Sequence, residues 1–574
     1  MKTFWKKLKS ETTLEKIIVR IIMAWILTSL CFFVKSDGNF ATALYTDKIN
    51  TIMYVCYILL FFVSFCALGF FKAFTWVETF GPTILITIYG ILSVQADTEL
   101  SYVMGLMVVL AVTIMYAINK TRVFVEIKKK WAVVVLYILA AVFYMGIVGG
   151  VSIFRYLTYN SGNDEFTALV QLFHNLRSGS KPVTDFSLIY YIFLPVYCIF
   201  PYPLTLLVMQ IITVLSGIIP MYLLCRKLNL SKSATVAFGI IYVLYPALAC
   251  GCYADLHENC FLIPLLLWLF YFIEKDDLKM IIILSALSLL VKEDAVIYVG
   301  CIGLYLLIGR KKYAKGAILT VGSIIYYVII VIVMKKSGGL EITKGYENYI
   351  VDGNGTILDV IHNFIVNPGY VVQKCFSQEK LQFLFFMFLP VGFMPVCSKK
   401  ISKFILLLPM IFINLAPDFS EKYSIFSQYA FGAAAILIYL SVSNYSEMEE
   451  KTRKYLCAIA ISASLVFLPT GALSKTEYAI DYMNNYEQYK LLDEAIADIP
   501  KNASVTASKL FSAHVANRTN VYEYPSDELS DIIILDSRNN KYDSRVIKGF
   551  LKKGYTVVDE EKDLYVILGK ENIN

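Results

Sequence analysis

Apolar runs of near-spanning length follow one another along most of this chain, separated by short polar breaks. They begin at Ile17, Thr51, Val77, Tyr102 and Trp131. Others begin at Leu204, Ala234, Cys260, Met280, Ala295, Ala317, Leu381, Phe404, Tyr429 and Tyr455. A helix needs about 20 apolar residues to cross a bilayer, so the pattern predicts an all-α polytopic membrane protein of roughly 13–15 transmembrane helices. Met280 to Val291 and Ala295 to Ile308 are short, and read as re-entrant halves or steeply packed helices. The run from Ile17 to Val34 is long for a signal peptide and no small-residue cleavage site follows, so it reads as the first span.

Three polar segments break the rhythm. In 152–203, Phe166, Leu169, Val170 and Phe173 recur at helical spacing behind Asn163 and Asp164, which can cap a helix. That stripe suits a helix lying in the membrane interface. The segment 335–380 is polar and tyrosine-rich. From Leu473 onward, helical stretches alternate with β-rich ones such as Ser504–Ser508 and Asp531–Asp536, which predicts a small α/β domain. The organisation expected is an N-terminal transmembrane module (1–125), a transmembrane core (126–472) and an extracytoplasmic domain (473–574).

Charge orients this arrangement. With the N-terminus inside, the inner face receives Lys120/Arg122/Lys128/Lys129/Lys130, Arg226/Lys227/Lys232, Lys275/Lys279, Arg310/Lys311/Lys312/Lys315, Lys399/Lys400/Lys403 and Lys451/Arg453/Lys454. The short outer loops are nearly free of such clusters, so the N-terminus is expected in the cytoplasm and the C-terminus outside the cell membrane. Composition agrees: 57% of residues are hydrophobic and 17% charged, where a soluble domain carries about a quarter. The net charge of +7 is what cytoplasmic loops collect. No basic run interleaved with aromatics points to nucleic acid. Of the 12 cysteines nearly all lie in apolar runs, where Cys is a small packer rather than a disulfide partner.

Candidate chemistry gathers in two clusters, Asp255/His257/Glu258 and Lys292/Glu293/Asp294. Roughly 30 residues separate them, enough for one helix across and one back, which brings both to the same face. Charges inside so apolar a stretch are costly unless paired or functional. An internal Lys–Asp pair is the plainest reading. The functional one has Lys292 hold a phosphate, with Glu293 or Asp294 orienting it. Lys335, Lys336 and Lys422 fall on the same side and either assist or snorkel. Asp164 and Glu165 read as helix capping or, functionally, as a general base for an acceptor hydroxyl. Asp255 with Asp164 suits a hard divalent cation, magnesium or manganese. Cys250, Cys252, His257 and Cys260 have zinc-type ligands, but their spacing fits no common closed site. His174 and His362 read as polar surface, and nothing beside His514 makes a triad. No P-loop, dinucleotide-binding glycine motif or nucleophile elbow is present.

Several stretches, FLPVYCIFPYPLTLLVMQ, IIPMYLLCRKL, YPALACGCYADLHENCFLIPLLLWLFYFIEK and LSLLVKEDAVI, resemble a bacterial family of predicted multi-spanning membrane proteins of unknown function. That family is placed in the GT-C glycosyltransferase superfamily. PMIFINLAPDFSEKYSIFSQY and IPKNASVTASKLFSAHVANRTNVYEYP look like its later segments. The most specific parts are D-x-H-E at Asp255–Glu258 and K-E-D at Lys292–Asp294. The likeness covers about two thirds of the chain, and the first ~125 residues look added. It implies a GT-C-like fold, a polyprenyl-phosphate sugar donor, chemistry at the outer face, and an envelope glycan, lipid or protein as acceptor. It maps the acidic first loop to Asp164 and Glu165 and the second-loop acid to Asp255 or Glu258. Asn160 and Asp185 depart from the family's usual Asp and His, which leaves the base open between carboxylates. A lipid transporter or flippase and a non-catalytic envelope-assembly protein are the rival readings. Transporters place ionisable groups near the midplane and often show inverted repeats, neither of which is visible here.

Overall fold

Backbone out of contact with water must satisfy its own hydrogen bonds, so long apolar segments fold as helices. The computed structural model describes residues 13–35, 51–71, 73–93, 100–121, 127, 129–161, 164–179, 187–336, 345–350, 357–472, 475, 477–526, 530–538 and 544–570. The N-terminal helices are α1 (Leu14–Lys35), α2 (Thr51–Leu68), α3 (Phe74–Ser93) and α4 (Leu100–Thr121). Next come α5 (Lys130–Leu157), the shorter α6 (Asp164–Ser178), α7 (Pro203–Lys227) and α8 (Lys232–Leu244). The central hairpin is α9 (Leu262–Lys275) and α10 (Leu278–Leu289), followed by α11 (Ala295–Gly309) and α12 (Tyr313–Lys336). Helices α13 (Ala430–Glu447) and α14 (Glu450–Ala472) complete the bundle.

Among the described residues, five helices are long and apolar enough to cross a membrane. A sixth crossing forms if α8 and the following Pro246–Tyr253 segment, bent by 41°, are one span. Run length alone predicts more, roughly 13–15. Several of the other runs are broken or short. Pro246 interrupts one, Ile401–Leu407 winds as a 3₁₀ helix, and α10 has only 12 residues. Such pieces are tolerated where neighbouring protein, not lipid, covers the backbone.

Helix α13 is the centre of the bundle. Every residue from Ala430 to Tyr445 is buried, as expected of a helix that is apolar all round. Its small residues admit close neighbours: a Cβ at Gly432 would stand 2.3 Å from the Tyr298 ring of α11. At one end of the hairpin, buried Glu274 accepts a hydrogen bond from Tyr439 Oη at 2.7 Å and pairs with Arg310. Beside it Asp276 accepts from Lys312 and Lys315 at 3.3 and 2.7 Å. The Lys/Arg clusters therefore collect at that end, and the Asp255–Glu258 and Lys292–Asp294 turns lie at the other.

The tail folds as a five-stranded sheet, β1 (Val505–Ala507), β2 (Val521–Glu523), β3 (Ile532–Asp536), β4 (Tyr555–Glu561) and β5 (Tyr565–Lys570), in the order β2-β1-β3-β5-β4. The first three strands are parallel, with Val505 opposite both Val521 and Ile532, and β5 runs antiparallel to β3 and β4. The wholly buried IIILD of β3 is the continuous apolar run that a central parallel strand requires.

This domain sits on the site end of the bundle. Tyr159, fully buried, donates to Asp493 at 2.6 Å and packs on Phe511. His514 is stacked between Tyr156 and Tyr159, with ring centroids at 4.1 and 3.9 Å. Helix α6 is held on its polar side by Thr167–Ser512 (2.7 Å), Gln171 donating to the Thr519 carbonyl, and His174–Asn517 (2.9 Å). Its stripe of Phe166, Leu169, Val170 and Phe173 is buried in the bundle core. The amphipathic pattern is thus a protein–protein pattern rather than a lipid-facing one. His174 is a docking contact rather than free polar surface.

Candidate functional site

The two predicted clusters meet. The Lys292 ammonium lies 3.2 Å from Glu258 Oε1, so the hairpin returns Lys292 to the turn that precedes it. Glu258 Oε2 accepts from the Tyr190 hydroxyl at 2.6 Å and lies 3.2 Å from His257 Nδ1. Gln210, buried on α7, fixes the first turn by accepting from the His257 amide at 3.0 Å. Ser187 fixes the second by donating to the Val291 carbonyl at 2.7 Å. The segment between α6 and α7, through Ser187 and Tyr190, is thereby tied to both turns.

Tyr429, at the start of α13, forms the floor. Lys292 lies 5.2 Å from its ring centroid and Lys422 lies 5.7 Å from it. Two cations on one desolvated ring each gain about 1–2 kcal/mol from the aromatic face, while opposing each other. Lys422 also lies 5.4 Å from the Tyr346 ring. Buried Asn414 holds this floor by donating to the Lys422 and Tyr429 carbonyls at 2.7 and 3.0 Å.

The electrostatics follow from burial and these pairings. Burial pushes His257 down to about 4, so its ring is neutral at pH 7. Burial opposes ionisation of Glu258, but His257, Lys292 and the Tyr190 hydroxyl outweigh it and bring the carboxyl to about 2. Burial also works against the Lys292 charge, yet Glu258 and Tyr429 overcome it and raise the ammonium. Asp294 is raised by burial to about 6, against the pull of Lys292 and Lys422. Burial lowers Lys422, partly offset by Asp294. The result is two ammonium groups facing one firmly ionised carboxylate and one carboxyl that titrates near neutrality.

The other expected residues fall outside this knot or at its edge. Glu165 is exposed at the start of α6, within electrostatic reach of Tyr429. Asp164 opens the same helix, but its side chain lies outside the described residues. Glu293 is exposed at the edge of the knot, within electrostatic reach of Lys292, Asp294 and Lys422 as well as Tyr326 and Tyr327 of α12. Asp255 is separate: its buried carboxylate is paired with Arg155 at 3.0 Å, and Arg155 also donates to the Tyr253 carbonyl at 2.5 Å. Burial raises Asp255 and Arg155 lowers it. A divalent cation on Asp255 would stand against that guanidinium. Among the described residues, no group of three or more His, Cys, Asp or Glu is gathered to hold a metal. Asp164, the other carboxylate expected to share such a cation, has its side chain outside the described residues.

Sequence reasoning missed Arg155, Tyr190, Gln210, Asn414 and Tyr429. Only Arg155 carried a signal, as a lone cation at the end of its helix where the charge asymmetry leaves few others. The rest are polar atoms in apolar runs, whose partners are set by tertiary contact.

No curated protein matches this chain. Among solved structures, it is similar to the crystal structure of ArnT from Cupriavidus metallidurans bound to undecaprenyl phosphate. The identity is 9% and the TM-score 0.47, over 77% of this chain and 98% of that one. The model of the family described as predicted membrane protein (DUF2079) matches residues 185–566, more than half of the sequence, and the chain belongs to that family.

Proposed function

We propose that the protein is a membrane glycosyltransferase of GT-C type. In this reading it moves a sugar from a polyprenyl-phosphate donor to an acceptor at the outer face of the cytoplasmic membrane. The observation that carries this is the pair Lys292 and Lys422 on the Tyr429 ring, at the bundle end that the charge asymmetry assigns to the outside. Two ammonium groups at headgroup depth suit a phosphate that leaves with added negative charge. Glu258 and Tyr190 hold Lys292 in place, so its position is set before substrate arrives.

The acceptor oxygen attacks the anomeric carbon as the bond from that carbon to the phosphate oxygen breaks. The electron pair stays on the phosphate, facing Lys292 and Lys422. The acceptor proton passes to a carboxylate at the start of α6, Glu165 or Asp164. The anomeric configuration inverts. No step needs a metal ion. Charges at a turn rather than at mid-membrane fit a transferase better than a transporter.

Sugar transfer by the purified full chain, assayed with a panel of polyprenyl-phosphate monosaccharides, tests this reading. Glu165→Gln or Asp164→Asn should lower transfer by about 10²–10⁴-fold, the range for loss of a positioned base. Full transfer by both variants would remove α6 as the source of the base. Absence of polyprenyl-phosphate binding by the unaltered protein would overturn the donor assignment.

A further inference from the structure

The opposite end of the bundle holds a cavity of about 510 Å³ between the start of α5, the end of α7 and the start of α8. It is lined by three cations, Lys130, Arg226 and Lys232, and by the polar side chains of Asn229, Ser231 and Ser233. Nothing in the candidate site uses it. Among the described residues, no acidic side chain lines it and no carboxylate pairs with Lys130 or Arg226.

Local structure gives this cavity its shape and sign. After α7 ends, Asn229 takes the left-handed conformation (φ 58°), which turns the chain sharply into α8. Ser231 caps α8 by accepting from the Ala234 amide at 3.2 Å, so the first turn of that helix opens onto the cavity. The positive end of its dipole adds to the three side-chain cations.

Depth identifies the ligand. Lys130 opens a 28-residue apolar span and Arg226 and Lys227 close a 25-residue one, so the cavity lies where hydrocarbon gives way to headgroups. Next to it, exposed Trp131 carries Lys129 over its ring at 5.7 Å, the amphipathic aromatic expected at an interface. Basic pockets at this depth fit phosphate headgroups.

We infer that this cavity is a binding site for the phosphate of an anionic phospholipid, on the membrane face opposite the candidate active site. It is independent of the transferase reading.

The test uses the full chain purified in detergent and returned to nanodiscs of phosphatidylcholine with or without phosphatidylglycerol. Co-purifying phosphatidylglycerol is counted by native mass spectrometry. Two neutralised cations, each worth about fivefold near a membrane surface, should lower retention about 30-fold in Lys130→Ala/Arg226→Ala. Arg226→Lys should keep most of it. Lys399→Ala, which removes an exposed charge from the same end of the bundle, should leave retention unchanged. Equal retention by the double variant and the unaltered protein overturns the site. So does an equal fall in Lys399→Ala, which marks general surface charge. If millimolar inorganic phosphate displaces phosphatidylglycerol completely, the ligand is a soluble anion and the lipid assignment fails.

Discussion

Replacing Lys292 by Met separates what the lysine does for the fold from what it does for a phosphate. The ammonium stands 3.2 Å from a Glu258 oxygen, and the two side chains are 17% and 14% exposed. Coulomb's law at an effective dielectric of 20 gives about 5 kcal/mol for that separation. Desolvation of both ions cancels much of it, so the pair itself is worth little against apolar substitutes. Removing one partner is different, because Glu258 is then ionised, buried and uncompensated. That costs about 3–5 kcal/mol for a fully buried pair, and about 3 here after allowing for the exposure. Lys292→Met should therefore lower unfolding stability by about 3 kcal/mol. Glu258→Gln should cost less, since Lys292 keeps the Tyr429 face. In Glu258→Gln/Lys292→Met the stability should largely return, with a coupling energy of about 3 kcal/mol. Sugar transfer should not return with it. The leaving phosphate would still lack one of its two ammonium groups, a loss of about 10²–10³-fold. Thermal unfolding in detergent reads the first quantity and donor turnover the second. Additive stabilities in the cycle would refute the ion pair as a folding element. Restored transfer in the double variant would refute Lys292 as a phosphate ligand.

Asp294 sets a pH dependence. Its folded value of about 6 lies above the ordinary carboxyl value of 3.8, so its contribution is intact in acid and is lost as pH rises through 6. Asp294→Asn should gain on the unaltered protein by about 1 kcal/mol between pH 5 and pH 8, after discount for partial exposure. A stability difference that does not change with pH would contradict the burial of that carboxyl. Arg155→Ala should cost about 3 kcal/mol by stranding Asp255, and Arg155→Ala/Asp255→Asn should recover most of it, read by thermal unfolding. Asn517→Ala removes the contacts to His174, Tyr197 and the Pro201 carbonyl. Hydrogen exchange across 164–178 should rise several-fold, and unchanged protection would mean the tail does not brace α6.

The helical class, the α/β tail and the meeting of two charged turns were all legible in the sequence, because each rests on periodicity and segment length. The pairing of Glu258 with Lys292 follows once a hairpin of about 30 residues is accepted. What covers each apolar run was not legible, because an apolar run buried in protein looks like one buried in lipid. Helix α6 misled for the same reason: Phe166 and Phe173 have the spacing of an interfacial helix, and only the tail's Ser512 and Asn517 explain its polar side. The tail also lies more than 300 residues away in sequence from the residues it touches, a separation no local pattern encodes.

The roles inside K-E-D were hidden for a further reason. Three consecutive charged residues look equivalent in sequence, but the chain turns them into different surroundings. Lys292 meets Glu258 and an aromatic ring, Glu293 faces outward, and Asp294 is buried between two lysines without a hydrogen-bond partner for one oxygen. With His257 neutral, Lys292 and Lys422 are balanced by Glu258 and Asp294 when no substrate is bound. A phosphate settling between the lysines brings negative charge against Asp294 and raises it further above 6, so binding and protonation at that carboxyl are linked. Glu258, held near 2 by its partners, cannot take that proton in the working range. Asp294 is then the group that restores neutrality when an anion enters. Its replacement by Asn should make donor binding insensitive to pH between 5 and 8 while leaving the lysines in place.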